Sequence, residues 1–301
     1  MKNSLKKIII LNLIFLIIVY FIIDIICFVN NINYNRRFDV YSSPLTFIQT
    51  YFRTYKRFFY TKSNYDYYFI DDNKFFVFRE ALNLDSPKQP VLIMGCSFAW
   101  GNYLMNEQTF GGKIVKYTDR PVFNRGIWSR GLSEMLYQVR TKEFYDFIPK
   151  PEWFIYVFIP DQIRRTQVPC SVVDTGVYYD KNLNIKHDIS FPLYYTIKNH
   201  FFSYDQKYID FSVSILKEIK AELTRHWGDD IKYLFLYYNN DDWILEQIKP
   251  QLEQDGFIIY SLNDLTDIDL LTSEYKVEDQ LHPSESAWEI ITPALVEKTK
   301  M

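Results

Sequence analysis

From residue 89 onward the chain alternates short apolar runs with longer stretches in which apolar residues recur at helical spacing. Five runs read as strands: 91–95 "VLIMG", 121–124 "PVFN", 153–159 "WFIYVFI", 232–238 "KYLFLYY" and 256–260 "GFIIY". Residues 211–227, "FSVSILKEIKAELTRHW", and 241–256, "DDWILEQIKPQLEQDG", read as amphipathic helices. Near-continuous apolar strands alternating with helices predict an α/β fold built on one parallel sheet covered on both faces. In such sheets ligands bind beyond the carboxyl ends of the strands.

The pattern ahead of this region is different. Residues 8–29, "IIILNLIFLIIVYFIIDIICFV", are apolar but for Asn12 and Asp24. At about 1.5 Å per residue, a helix of that length crosses a hydrocarbon layer of about 30 Å, so a transmembrane anchor is expected. The alternative is a cleaved secretory signal. Against it stand the length of the apolar region and the absence of a small-residue cleavage site in the "NNINYNRR" that follows. Lys2, Lys6 and Lys7 precede the span, whereas Arg36 and Arg37 lie several residues beyond it. The positive-inside rule then places the N-terminus inside and the bulk of the chain outside the cytoplasmic membrane, as a single-pass protein. Asp24 falls near the outer end of the span, at headgroup level.

This divides the chain into a basic lead (1–7), an anchor (8–29), an aromatic and basic connector (30–88) and one α/β domain (89–301). The connector includes "YFRTYKRFFYTKSNYDYYF" at 51–69. Such interleaving suits a membrane surface or the stacking of sugars and bases, and equally an arm packed on the domain.

Charge and cysteine content narrow the functional classes. A formal net charge of -3 without a long run of one sign gives no sign of nucleic-acid binding. Cys27, Cys96 and Cys170 are scattered and lack metal-ligand spacing, so neither a disulfide framework nor a zinc site is expected, and no cofactor is implied.

The candidate chemistry begins in "VLIMGCSFAWG" (91–101). Ser97 falls just past the first strand, where a following helix aims its N-terminal amides. A serine there is either a helix N-cap or a nucleophile. Near the other end of the chain, "EDQLHPSESAWEIITPAL" (278–295) places Asp279 three residues before His282, at the opening of a last helix. A serine hydroxyl becomes a good nucleophile when an imidazole takes its proton and a carboxylate fixes that imidazole. Ser97, His282 and Asp279 supply these three roles. Cys96 is an alternative nucleophile, or a small inert residue under the turn. The G-x-S-x-G elbow of α/β-hydrolases is not met, because position 99 is Ala and the second glycine is Gly101. His187, His200 and His226 have no partnered Asp and read as surface or capping positions.

The segments "GCSFAWG" and "DQLHPS" resemble the first and last blocks of the SGNH/GDSL hydrolase family. "VFNRGIWSRG" (122–131) resembles the second block and "YVFIPDQIRR" (156–165) lies where the third belongs, so the likeness covers about residues 90–290. It implies a flavodoxin-like three-layer α/β/α domain and either ester hydrolysis or, in envelope-glycan relatives, acyl transfer. The anchor makes the chain most similar to those relatives. It also implies Ser97 as nucleophile, His282 as base and Asp279 as its orienter.

The implied oxyanion donors are the Ser97 N–H, a backbone N–H near Ser129 and a side-chain amide after the third strand. The chain departs from this pattern twice. The second-block glycine falls on Ser129, with Gly126 and Gly131 flanking it, and backbone donation survives that change. The third-block Asn falls on Asp161, whose carboxylate accepts hydrogen bonds and repels an oxyanion. Either Asp161 turns away onto Arg164 or Arg165, or Gln162 is the donor, or the loop is a charged helix opening outside the chemistry.

Two functions are therefore expected from this reading. One is a membrane-anchored serine esterase or O-acyl (acetyl) transferase acting on an acylated cell-envelope carbohydrate. The other is a non-catalytic glycan-binding or polysaccharide-assembly protein of the same fold. Trp100, Tyr103 and Trp128 suit a sugar ring in either case, and suit core packing as well.

Overall fold

A computed structural model describes residues 10–16, 18–19, 79–127, 130–167, 177–187, 202–240 and 242–301. The N-terminal helical residues belong to one compact unit and the α/β domain to another. Most of the predicted anchor and connector lies outside the described residues. Among the described residues no helix is long and apolar enough to cross a membrane. Residues 10–16 and 18–19 are helical, and Ile10, Leu11, Leu13, Ile14, Phe15, Leu16 and Ile18 are all about half exposed or more.

Within the domain every predicted strand enters one parallel sheet. The strands are β1 (Val91–Gly95), β2 (Val122–Asn124), β3 (Trp153–Phe158), β6 (Lys232–Tyr237) and β7 (Phe257–Ser261). Between β3 and β6 in the chain lies a small antiparallel pair, β4 (Val177–Tyr179) and β5 (Ile185–His187), which the hydrophobic pattern did not predict. The sheet order is β2-β1-β3-β6-β7. Counting the five sheet strands alone this is 2-1-3-4-5, the flavodoxin-like doubly wound order, with its switch point beside β1.

The strand sequences explain why both faces are covered. In β3, Trp153, Ile155 and Val157 join one core with Val91, Ile93, Leu234 and Leu236. Phe154, Tyr156 and Phe158 point the other way and lie in register with Tyr233, Phe235 and Tyr237 of β6. These cross-strand pairs have ring centroids 5.7, 6.3 and 6.0 Å apart, within the range where each pair adds about 1 kcal/mol beyond area burial. One layer of helices contains α2 (Phe110–Thr118) and α9 (Glu285–Thr299), packed on each other. The opposite layer contains α3 (Leu132–Val139), α5 (Asp161–Gln167), α6 (Gln206–Trp227) and α7 (Asp242–Gln254). Short helices α1 (Ser97–Trp100), α4 (Lys142–Phe147) and α8 (Leu262–Leu265) complete the domain.

Residues 79–88, which the sequence places in the connector, pack with the domain. Leu82 exchanges two backbone hydrogen bonds with Val122, each 3.0 Å, as an antiparallel bridge on the edge strand β2.

Candidate active site

The site is built where β1 ends. Gly95 has φ +142, and a Cβ there would stand 2.4 Å from the Val157 carbonyl oxygen of β3, so only glycine lets the chain leave the sheet this close to its neighbour. Cys96 is fully buried beneath the turn and Ser97 opens α1. The first-turn amides of a helix have no partner within it, so the Ser97 end of α1 is a place where backbone N–H groups face an incoming oxygen.

His282 is delivered from the far end of the chain by a tight loop. A bridge between Lys276 and Pro283 closes it, Val277 N–H donates to the His282 carbonyl (2.9 Å), and Gln280 occupies the left-handed region with φ 58. Inside the loop the Asp279 carboxylate is used twice. Oδ1 accepts from the backbone N–H groups of Leu281 (2.8 Å) and His282 (3.0 Å), which fixes the carboxylate. Oδ2 is thereby aimed at His282 Nδ1, 2.5 Å away. This is why the two residues need a spacing of three: the side chain folds back over its own turn and meets the imidazole. Ser284 then caps α9. That helix is tied to α2 by the buried Lys113, whose Nζ lies 2.6 Å from Glu285 and 2.7 Å from Glu289.

These elements place His282 Nε2 2.7 Å from Ser97 Oγ. With Nδ1–H donating to the carboxylate, Nε2 is left to accept the serine proton. Ser97 and His282 are both buried, and the imidazole ring lies 5.2 Å from Phe98 and 6.2 Å from Tyr103 between centroids. Burial lowers the His282 pKa below its ordinary value; the Asp279 carboxylate opposes this and the Arg165 charge adds to it. Burial alone would raise the Asp279 carboxyl, but the hydrogen bonds from the backbone and ring of His282 and from the Leu281 N–H outweigh it and lower the pKa. At neutral pH the site thus holds a neutral imidazole between a hydroxyl and an ionised carboxylate.

The other expected donors are differently placed. Ser129 and Trp128 lie outside the described residues. Gly126 is close to α1: a Cβ there would be 2.6 Å from Trp100 N and 2.9 Å from Ala99 Cβ. Its N–H, however, donates to Asn124 Oδ1 (3.0 Å), while Asn124 Nδ2 donates to the Ala99 carbonyl (2.6 Å). Gly126 therefore clamps the β2 loop onto α1, and its amide is committed within that clamp.

Asp161 is turned onto Arg164, with oxygen–nitrogen distances of 2.6 and 3.0 Å, and is ion-paired with Arg165 at 2.6 Å. Burial would raise its carboxyl, but the Arg165 and Arg164 charges bring it down to about 2. Gln162 is fully buried and donates Nε2 to the Val157 carbonyl (3.2 Å) at the end of β3. Trp100 is a core residue, whereas Tyr103 is exposed beside His282 and adopts φ 66. Of the remaining histidines described with side chains, His226 stacks on Tyr145 at 3.7 Å.

A buried residue that sequence reading passed over also reaches the site's framework: Arg79 holds the carboxyl end of α1. Its segment, "VFREALNL", carries no local signal of this, because these partners are backbone carbonyls more than twenty residues away, with the Asn106 side chain beyond them.

The chain thus has a flavodoxin-like strand order, with a serine after β1 and an Asp-x-x-His loop before the last helix. No family model matches the chain, and no curated protein matches it significantly. Solved structures similar to it include a member of the lipolytic protein G-D-S-L family from Veillonella parvula, 10% identical over 70% of this chain and 97% of that one, with a TM-score of 0.44. They also include a family two carbohydrate esterase from Clostridium thermocellum in complex with cellohexaose (10% identity, 71% and 65% coverage, TM-score 0.44). A third is AlinE4, an SGNH-hydrolase family esterase (16% identity, 71% and 94% coverage, TM-score 0.40).

Proposed function

We propose that this chain is a membrane-anchored serine ester hydrolase or O-acyltransferase that acts on O-acyl groups, acetyl first among them, of a cell-envelope carbohydrate outside the cytoplasmic membrane. The observation that carries the reading is the line Ser97 Oγ, His282 Nε2, His282 Nδ1, Asp279 Oδ2, with separations of 2.7 and 2.5 Å across its two hydrogen bonds. In this reaction His282 takes the Ser97 proton as Oγ bonds to the acyl carbon, and Asp279 stabilises the imidazolium. The oxyanion faces the Ser97 N–H at the start of α1. Collapse breaks the ester bond, His282 gives the proton to the departing sugar oxygen, and an acyl-serine remains. Water, or the hydroxyl of a second sugar, then gives its proton to His282 and bonds to the acyl carbon; the acyl–Oγ bond breaks and His282 returns the proton to Ser97 Oγ. The exposed apolar residues among the helical positions 10–16 and 18 support the anchor.

Hydrogen bonding after β3 favours a second reading. With Asp161 held by Arg164 and Arg165, and Gln162 donating to the Val157 carbonyl, the side-chain amide that the resemblance implies at the third block is lacking at position 161. A glycan-binding or assembly protein would tolerate that loss. The discriminating experiment is acetate release from an O-acetylated polysaccharide by the full chain in detergent. The enzyme reading expects turnover that Ser97→Ala and His282→Ala each reduce by about 10⁴-fold or more. Saturable binding of the polysaccharide without any turnover would establish the second reading instead.

A further inference from the structure

The helix that begins with Ser97 is a single turn. A turn of four residues does not hold itself, because nucleation fixes several residues for very few hydrogen bonds. Its first residue is nevertheless the one whose position the chemistry depends on. Two N–H groups beyond it, those of Gly101 and Asn102, return to the Ser97 carbonyl at 3.0 and 3.2 Å. The carbonyls that follow are the ones a helix end leaves without partners.

Arg79 donates to those of Trp100 and Gly101, and to that of Leu104 beyond them. Its guanidinium is buried, with Nε 2.5 Å from the Trp100 carbonyl and Nη2 2.7 Å from Gly101 and 2.8 Å from Leu104. Nη1 donates to Asn106 Oδ1 at 2.6 Å, and the guanidinium carbon lies 5.3 Å from the centre of the Trp100 ring. A planar fork with five donors serves four acceptors on Trp100, Gly101, Leu104 and Asn106; a lysine ammonium is a point charge and does not. The same turn is also held by Asn124 and the close approach of Gly126. Arg79 is thus the second of two clamps on α1, and it comes from upstream of β1, in the part of the chain that leads from the proposed anchor.

We propose that Arg79 is a positioning residue for Ser97: by fixing the carboxyl end of α1 it keeps the hydroxyl in line with His282, so that the connector's last residues complete the active site. The inference rests on the reading of Ser97 as the nucleophile.

The test compares Arg79→Ala and Arg79→Lys with Arg120→Ala in the full chain. Arg120 pairs with Glu152 at 2.6 Å and with the Gln89 carbonyl at 3.0 Å, next to the amino end of β1, away from the site. The readouts are kcat and KM on a small acyl ester, the rate of Ser97 labelling by a fluorophosphonate, the melting temperature, and the NMR resonance of the His282 Nδ1 proton. Arg79→Ala is expected to lose about 10²-fold in kcat and labelling rate with little change in KM, as a misplacement of about 1 Å does. It should also shift the Nδ1 proton, and Arg79→Lys should recover only part of each loss. Arg120→Ala should lower the melting temperature while keeping kcat and the proton resonance. Equal kcat in Arg79→Ala and Arg120→Ala, or a change in KM alone, overturns the proposal. If the wild type neither turns over nor labels, the functional reading fails, and the proton resonance alone decides the positioning role. If Arg79→Ala does not fold, Arg79→Lys carries the same comparison.

Discussion

Gly126→Ala tests whether the β2 loop sets the position of the nucleophile turn. Gly126 is not among the positive-φ residues, so alanine brings no backbone strain and acts through contact alone. The added Cβ would lie 2.6 Å from Trp100 N, 2.9 Å from Ala99 Cβ and 3.0 Å from Ala99 C. Ordinary contact begins near 3.4 Å, so the loop and α1 must part by about 0.8 Å. All three atoms belong to α1, and none is the end of a flexible side chain that could swing aside. Overpacking of this kind costs about 1–3 kcal/mol. A shift of nearly 1 Å in a reacting group costs about 10²-fold in rate. The separation also strains the 2.6 Å hydrogen bond from Asn124 to the Ala99 carbonyl. The assay is steady-state hydrolysis of a small acyl ester together with thermal unfolding. Expected are a melting temperature lowered by several degrees and a kcat lowered by one to two orders of magnitude. Wild-type kcat in a destabilised protein would refute the claim that this loop positions Ser97. Unchanged stability would refute the contact argument itself.

Three further outcomes follow from the site's electrostatics and hydrogen bonds. Burial lowers the His282 pKa, so the base stays neutral through pH 7 and kcat/KM falls only as the pH drops through a value below 6.5; an acid limb centred at or above 6.5 contradicts the assigned environment. Asp161→Asn removes a carboxylate held at about 2 by Arg165 and Arg164, and a depressed carboxyl stabilises the fold above its ordinary value of 3.8 and loses that contribution as the pH falls through about 2. The variant should therefore be less stable than wild type at neutral pH, with the gap closing in unfolding measurements between about pH 4 and pH 2, and should gain no activity; a gain would mean the position faces the oxyanion. Gln162→Ala should change kcat by less than the 10²-fold to 10³-fold that loss of an oxyanion donor costs, because its amide serves Val157; a drop of that size would restore it to the hole.

The legible part of the molecule is the part written in local pattern. All five sheet strands lie within a residue of their predicted limits, because strands buried on both faces have to be nearly all apolar. The helix predicted from 211 begins at Gln206, since "QKYID" is polar enough on one side to pass for a loop. The β4–β5 pair, two three-residue strands, is not among the apolar runs that the pattern marks. Ser97, His282 and Asp279 stand out by residue type and spacing; the structure brings the three together, and the loop geometry shows why the spacing is three. Donor assignments after β2 and β3 were not legible, because whether Gly126, Asp161 or Gln162 offers a hydrogen bond depends on Asn124, Arg164, Arg165 and the Val157 carbonyl. Arg79 was invisible for the same reason: a side chain that binds backbone carbonyls leaves no partner to recognise in the sequence.

The central claim is that Ser97 is a nucleophile activated by His282. The most direct measurement is intact-mass and peptide-mapping analysis of the full chain after treatment with a fluorophosphonate, beside Ser97→Ala and His282→Ala. The account predicts one adduct on the wild type, located on Ser97, absent from Ser97→Ala and formed far more slowly in His282→Ala. A folded wild-type protein that stays unmodified, or carries its adduct on another residue, would contradict it.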